Sequence, residues 1–337
     1  MTYSQPAPPP SHARHHLPAW ARVLPIGLGL WVATVLITFA TGNPNLVPTI
    51  ILLGSFLIPV TFVVYAFGHA DEVLTAQRIF TAFICGGVLG VLGATILEVA
   101  LLKQPSGFSF LGVGLIEEAV KLAALWLLAR RLPRYTARDG MVLGAAVGFG
   151  FAALESAGYA FVALFGSNGL SLLNVVETEV LRGILTPFGH GLWTAILGGA
   201  LFATAARSRH GRPRLRASLV GWYLLMALLH ALWDAANSIA YWLTLLLTGT
   251  PTQWTLIGQG DAPRVTLGQE HLYTGANWAL LLLDALIGVV ILVVRWHHAT
   301  AVPRIQLPPP VAGPPTPGSW WAPSAPVATS DHVTATR

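Results

Sequence analysis

The sequence predicts an all-α, polytopic transmembrane helix bundle of about eight spans. Of its 337 residues, 54% are hydrophobic and only 10% are charged, and the mean hydropathy is +0.63. An average soluble domain carries about 25% charged residues, so this composition excludes an ordinary soluble protein. A helix needs about 20 mostly apolar residues to cross a bilayer, and eight stretches of the chain satisfy that requirement.

The predicted spans follow one another along most of the chain. They cover residues 22–40, 47–67, 79–102, 109–129, 140–165, 186–206, 217–247 and 277–294. Together they define a transmembrane domain over residues 22–298. Residues 1–21 and 299–337 are predicted to be disordered tails, because Pro-rich sequence cannot bury a core.

The basic residues predict the orientation of the bundle. If the N-terminus is cytoplasmic, 15 of the 19 lysines and arginines fall in the tails and inner loops, Lys103, Arg182 and Arg264 lie outside, and Lys121 lies within a span. Since basic residues concentrate on the cytoplasmic side of membrane proteins, both termini are expected to be cytoplasmic. The basic residues occupy short loops between spans, so we expect lipid and no nucleic acid as a partner.

Two loops and the single cysteine lie outside these arguments. Residues 166–187 have apolar residues at helical spacing with glutamates between them, which predicts a short helix lying at the membrane interface. Residues 248–275 give no clear assignment. The single cysteine, Cys85, has no intrachain partner and is expected to be a small buried apolar side chain.

Five of the predicted spans carry ionisable residues away from their ends. They are Glu117, Glu118 and Lys121 in the fourth span, Glu155 in the fifth, His190 in the sixth, His230 and Asp234 in the seventh, and Asp284 in the eighth. A charged side chain at the centre of a membrane helix costs about 2.5 to 3.5 kcal/mol, so each of them needs a reason.

Depth and spacing indicate that most of these residues form one site. At a rise of about 1.5 Å per residue, most of them fall in the outer half of the membrane. Glu117 and Lys121, like His230 and Asp234, are four residues apart and so share a helix face. The segments HGLWTA and HALWDA set His190 and His230 in similar surroundings. Asp284 and Glu98 lie nearer the outer interface, which favours a structural role for them.

The residue types suit hydrolysis. A glutamate beside a second carboxylate in a poorly solvated site is suited to general acid and base catalysis. Imidazoles stabilise an oxyanion or hold a metal. Zinc enzymes typically use three protein ligands, a count met by His190, His230 and Asp234, or by Glu155 in place of one of them. Because the H-E-x-x-H motif is absent, zinc is one option and a metal-free site is the other.

The polar residues also form four motifs in chain order. Residues 117–121 read EEAVK and match E-E-x-x-K, residues 151–155 read FAALE and match F-x-x-x-E, His190 lies in the next span, and residues 230–234 read HALWD and match H-x-x-x-D. In this order the chain resembles the PrsW family of intramembrane proteases, related to the CAAX prenyl-protease and bacteriocin-processing group. The resemblance covers roughly residues 80–245.

This resemblance implies proteolysis of membrane-anchored proteins in a bacterial cell membrane, including regulated cleavage of anti-sigma factors. Glu117 and Glu118 would be the catalytic carboxylates, with Lys121 tuning them. The remaining motif residues, Glu155, His190, His230 and Asp234, would act as metal ligands, oxyanion donors or both. Arg182 either holds a substrate carbonyl or pairs with Glu179, and the pair is favoured.

Two other functional classes remain open from the residues alone. Chains of Glu, Asp, His and Lys at membrane depth also form proton relays, as in a proton-coupled transporter. Such carriers often show two repeated halves, which are not evident here. A scaffold whose polar groups bind partner helices is the third possibility. The number of chains that assemble is left open.

Overall fold

A computed structural model describes residues 17–301, except for residues 104–106, 167–168 and 209–210. Most of both predicted tails, residues 1–16 and 302–337, therefore lies outside the described residues.

Ten α-helices and one pair of two-residue strands lie within the described residues. In chain order they are α1 (Ala19–Thr41), α2 (Val47–Phe67), α3 (Ala76–Leu101), α4 (Ser109–Ala129), α5 (Ala137–Ala163), β1 (Phe165–Gly166), β2 (Gly169–Leu170), α6 (Leu172–Leu185), α7 (His190–Ala203), α8 (Ala217–Thr248), α9 (Pro251–Gly258) and α10 (Leu267–Ala301). The two strands pair antiparallel. The predicted all-α membrane bundle is confirmed.

Each of the eight predicted spans contains a helix, and seven helical segments of the described chain are long and apolar enough to cross a membrane. The helix missing from those seven is α4, whose 21 residues include Glu117, Glu118 and Lys121. Its charges lower its hydropathy, yet α4 packs against α3 and α8 and, less extensively, against α5 and α7. The predicted span with three charged residues in its middle therefore has protein neighbours around them.

Two boundaries differ from the prediction. The helix predicted over residues 186–206 is interrupted, because Thr186–Phe188 form a 3-10 turn containing Pro187 and α7 then begins at His190. The last span begins at Leu267 rather than near residue 277. Its first turns are polar, and hydropathy alone does not detect them.

Two side-chain placements also differ from the prediction. Cys85 is exposed on α3, where the apolar surroundings in the sequence suggested burial. The helix expected within residues 166–187 is present as α6, but its Glu179 is buried against α2 and does not lie on a polar outer face. The sequence of a single helix does not reveal which face meets its neighbour.

The bundle is built around α5. In its most apolar 18-residue stretch 78% of the residues are buried, against 11% for α1 and 17% for α10. The largest helix contact in the described residues is between α5 and α7. The outer helices carry exposed leucines, valines and isoleucines, as expected for surfaces that face lipid.

Glycines at four-residue intervals let α5 and α7 approach closely. A Cβ atom at Gly140 would lie 2.2 Å from the carbonyl oxygen of Gly198, one at Gly144 would lie 2.2 Å from that of Thr194, and one at Gly148 would lie 2.2 Å from that of His190. Small residues at this spacing allow backbones to pack directly, which is the usual mode of close helix association in membranes. This contact sets the position of His190 relative to α5.

Replacing Gly144 by leucine should therefore separate α5 from α7 and destabilise the fold. Overpacking in a tight core costs about 1 to 3 kcal/mol, and here a backbone carbonyl is the obstacle. Gly158→Leu is the matched control, because a Cβ at Gly158, also on α5, meets nothing within 4 Å. We expect a lower apparent Tm in detergent for Gly144→Leu only. Equal Tm values for the two variants would contradict the close-packing argument.

Candidate active site

Five helices bring most of the predicted polar residues to one place in the bundle. The residues are Glu117, Glu118 and Lys121 on α4, Glu155 on α5, Arg182 on α6, His190 on α7, and His230 and Asp234 on α8. Side-chain contacts of 4 Å or less connect all eight residues.

Lys121 lies at the centre of this group with none of its side chain exposed. Its Nζ is 2.6 Å from Glu118 Oε1, 3.3 Å from Glu117 Oε2 and 2.8 Å from His190 Nδ1. It also lies 4.3 Å from the centroid of the Phe151 ring. An ammonium has three protons, so all of them have acceptors here. The buried positive charge is thus matched by two carboxylates on its own helix.

The contacts of His190 determine its tautomer. An ammonium can only donate, so His190 Nδ1 accepts from Lys121 and the ring proton lies on Nε2. His190 Nε2 then donates to Glu155 Oε2 at 2.9 Å. The same oxygen accepts from Arg182 Nη2 at 2.5 Å, while Arg182 Nε donates to Ser156 Oγ at 2.8 Å. Glu155 and Arg182 therefore hold the His190 ring from the side opposite Lys121.

His230 is held by carboxylates on both sides of its ring. His230 Nδ1 lies 3.0 Å from Glu118 Oε1. Its Nε2 lies 3.6 Å from Glu117 Oε2 and 3.4 Å from Asp234 Oδ2. Carboxylates near both nitrogens favour the imidazolium, in which both nitrogens carry a proton and Nδ1 donates to Glu118 Oε1. His230 Nε2 and Glu117 Oε2 consequently face each other across the centre of the site.

The two adjacent glutamates have different surroundings. The Glu118 side chain is completely buried, and its Oε1 contacts both Lys121 and His230. The Glu117 side chain is 8% exposed, and its Oε2 lies between the two histidine rings. The partly exposed members of the group are Glu155, Arg182 and Asp234, so the site opens on their side.

Trp193 belongs to the site and was missed by sequence reasoning. Its ring stacks on His230 with 4.8 Å between centroids and 25° between planes, and it meets His190 edge-on at 5.5 Å. Trp193 is 1% exposed. The repeated H-x-x-W segments carried the signal, because a tryptophan three residues after a histidine shares its helix face. Trp233, the second tryptophan of that repeat, packs edge-on against Trp193 at 5.9 Å.

One predicted pair is wrong. Arg182 was expected to pair with Glu179, but its guanidinium contacts Glu155 instead. Glu179 Oε1 accepts from Ser55 Oγ of α2 at 2.7 Å, beside Gly54, where any Cβ would clash with the carboxylate. The two side chains lie three residues apart on α6 yet face different neighbouring helices.

Asp284 was expected near the membrane interface. It is only 5% exposed, and neither carboxylate oxygen has a hydrogen-bond partner among the described residues.

Three donors in the site are close enough to hold a metal ion. One ligand atom each from Glu117, His190 and His230 lie within 4.8 Å of one another. Ligands of a tetrahedral zinc with bonds of about 2.0 to 2.1 Å lie about 3.3 Å apart. The distances from Glu117 Oε2 to His190 Nδ1, 3.8 Å, and to His230 Nε2, 3.6 Å, are close to that value.

The second nitrogen of each ring contacts a carboxylate, as in most histidine metal ligands. The donor set differs from the predicted His190, His230 and Asp234. Glu117 replaces Asp234, because the aspartate lies beside His230 Nε2 and is not a member of the group of three.

Removing Glu118 should cost more stability than removing Glu117. Deleting one partner of a buried ion pair costs about 3 to 5 kcal/mol, and Glu118 is the nearest acceptor of Lys121. In Glu117→Gln, Lys121 keeps both Glu118 and His190. We expect Glu118→Gln to lower the apparent Tm in detergent well below that of Glu117→Gln. The reverse order would show that the two glutamates are assigned the wrong way round.

Comparison with known proteins identifies the family. The model of the PrsW family of intramembrane metalloproteases matches residues 17–257. This region includes α1 and α2, which the motif-based resemblance left outside, and it ends before α10. Neither the curated proteins nor the solved structures gave a match. Since the family model covers more than half of the sequence and the four motifs meet in one site, this chain belongs to the PrsW family.

Proposed function

We propose that this protein hydrolyses peptide bonds of membrane-anchored proteins within the bilayer, with Glu117 as the general base. Membership of the PrsW family implies an intramembrane protease, which favours this function over a proton-coupled carrier or a scaffold. The observation that carries the choice of base is the position of Glu117 Oε2 between the two histidine rings. Glu118 is completely buried, and its Oε1 contacts Lys121 and His230, so we assign it a positioning role.

The reaction follows from these positions. Glu117 removes a proton from a water molecule, whose oxygen attacks the carbonyl carbon of the peptide bond. The developing oxyanion accepts a hydrogen bond from the Nε2 proton of His230. When the tetrahedral intermediate collapses, the C–N bond breaks and Glu117 returns its proton to the leaving amine. Trp193 and Glu118 fix the His230 ring during these steps.

The remaining polar residues position these groups. Glu155 orients the His190 ring, and Arg182 in turn holds Glu155. Asp234 lies beside His230 Nε2 and favours a proton on that nitrogen. Glu117, His190 and His230 are the three residues that would hold a divalent ion such as zinc, if the Lys121 ammonium left His190 Nδ1. A bound ion would supply Lewis-acid polarisation of the water and of the carbonyl.

The substrate class and location are part of the same proposal. Single-span regulators resembling anti-sigma factors are the expected substrates, and a bacterial plasma membrane is the expected location. A distant relation to the CAAX prenyl-protease and bacteriocin-processing group is supported by the order of the four motifs. With both termini in the cytoplasm, the polar residues lie in the outer half of the membrane. The partly exposed side of the site then faces the extracytoplasmic half of a substrate span.

Glu117→Gln should abolish cleavage while the protein remains folded. Glutamine keeps the shape of glutamate but cannot take up the proton, and the loss of a general base typically costs about 10²- to 10⁴-fold in rate. The measurement is cleavage of a panel of single-span proteins in proteoliposomes, scored by mass spectrometry. Glu177→Gln on α6 is the control, because that glutamate is exposed and should leave the rate unchanged.

Full activity of Glu117→Gln would refute the assignment of the base. If no panel member is cut and Glu117→Gln instead removes a pH-driven solute flux, the carrier replaces the protease.

The position of the cut tests the orientation. We expect peptide-bond cleavage near the extracytoplasmic end of the substrate span, because the site lies at that depth. Mass spectrometry of both product fragments locates the bond, and cysteine labelling of engineered loop sites on either side of the membrane establishes the topology. A cut near the cytoplasmic end, with both termini labelled from the inside, would contradict the predicted depth.

A further inference from the structure

The Lys121 ammonium contacts two of the side chains that could bind a metal ion. Lys121 Nζ lies 2.8 Å from His190 Nδ1 and 3.3 Å from Glu117 Oε2, two of the three candidate metal ligands. An ion bound to the same two atoms at about 2.1 Å would lie within about 5 Å of this ammonium. Both positive charges would then share one small buried space.

The lone pairs make this conflict specific. A neutral imidazole has one nitrogen lone pair, and His190 uses it to accept from Lys121, since Nε2 donates to Glu155. A metal needs that same lone pair and approaches along the same direction. His190 can therefore hold the ammonium or a metal, but not both.

Lys121 is also firmly anchored. Its side chain has no exposed surface, Glu118 lies 2.6 Å from Nζ, and the Phe151 ring covers the ammonium. Gly90 on α3 makes room for this arrangement, because a Cβ there would lie 2.8 Å from the Phe151 ring. Three helices thus contribute to keeping the ammonium against His190.

We infer that Lys121 is the resident cation of this site, and that its ammonium and a divalent metal ion exclude each other from Glu117 and His190. The native chain accordingly binds divalent metal weakly, and the hydrolysis proceeds with the lysine in place. Only this last clause rests on the proposed function.

The test compares Co²⁺ binding to the purified full chain in detergent, followed by the visible absorption of the ion. Lys121→Met removes the ammonium, keeps a similar volume and frees the His190 lone pair. We expect Lys121→Met to bind one Co²⁺ at least about tenfold more tightly than the wild type, on the scale at which residues next to metal ligands alter metal affinity. Lys103→Met, at an exposed lysine, should bind like the wild type.

Two further measurements locate the ion and keep the test decisive. In the double variant that combines Lys121→Met with His230→Ala, the visible absorption of bound Co²⁺ should disappear, because one of the three ligands has been removed. If Lys121→Met does not fold, the metal content of the purified wild type tests the inference by itself. We expect well below one zinc per chain. One tightly held zinc per wild-type chain, or equal affinity in wild type and Lys121→Met, would overturn the inference.

Cleavage in proteoliposomes separates this inference from the proposed function. Wild-type cleavage that persists in the presence of a zinc chelator is the expected result. Cleavage that the chelator abolishes would refute the role of Lys121 and leave the protease intact. If nothing is cut at all, the proposed function fails, while the comparison of Co²⁺ affinities still decides the inference.

Discussion

Lys121 carries a positive charge where its side chain has no contact with solvent or lipid, and the rest of the site is arranged around that charge. Glu118 and Glu117 neutralise it from the same helix, and His190 accepts its third proton. In a bilayer each of these groups alone would be costly, so they are stable only together. The tautomer of His190, the orientation of its ring and the contact with Glu155 all follow from the direction of this one hydrogen bond.

The glycines of α5 make that arrangement possible. Backbone contact between α5 and α7 puts the carbonyl of His190 against Gly148, and Glu155 lies two turns further along α5. Because His190 is the first residue of α7, directly after a 3-10 turn, its position depends both on this contact and on α6. Arg182 of α6 contacts Glu155, and Glu155 in turn contacts the His190 ring. The histidine whose position must be fixed therefore lies at the largest helix contact of the described residues.

Because of this packing, adjacent residues on one helix contact different partners. Glu117 and Glu118 differ in direction by about 100° around α4, as neighbours in an α-helix do. Glu118 thereby points at Lys121 and His230, and Glu117 points between the two rings. A similar division separates Glu179 from Arg182 on α6, which contact α2 and α5 respectively.

The sequence by itself determined the class of fold, the helices and most of the residues of the site. Hydropathy and the cost of a buried charge are local properties, so they can be read residue by residue, and the similar depth predicted for Glu117, Glu118 and Glu155 follows from helical rise alone. Only the tertiary structure decided the partner of Arg182, the inclusion of Trp193, the donor set with Glu117, and the contact of Lys121 with His190. These depend on how far each helix is rotated about its axis, and that rotation is set by close contacts between helices distant in the chain, above all between α5 and α7.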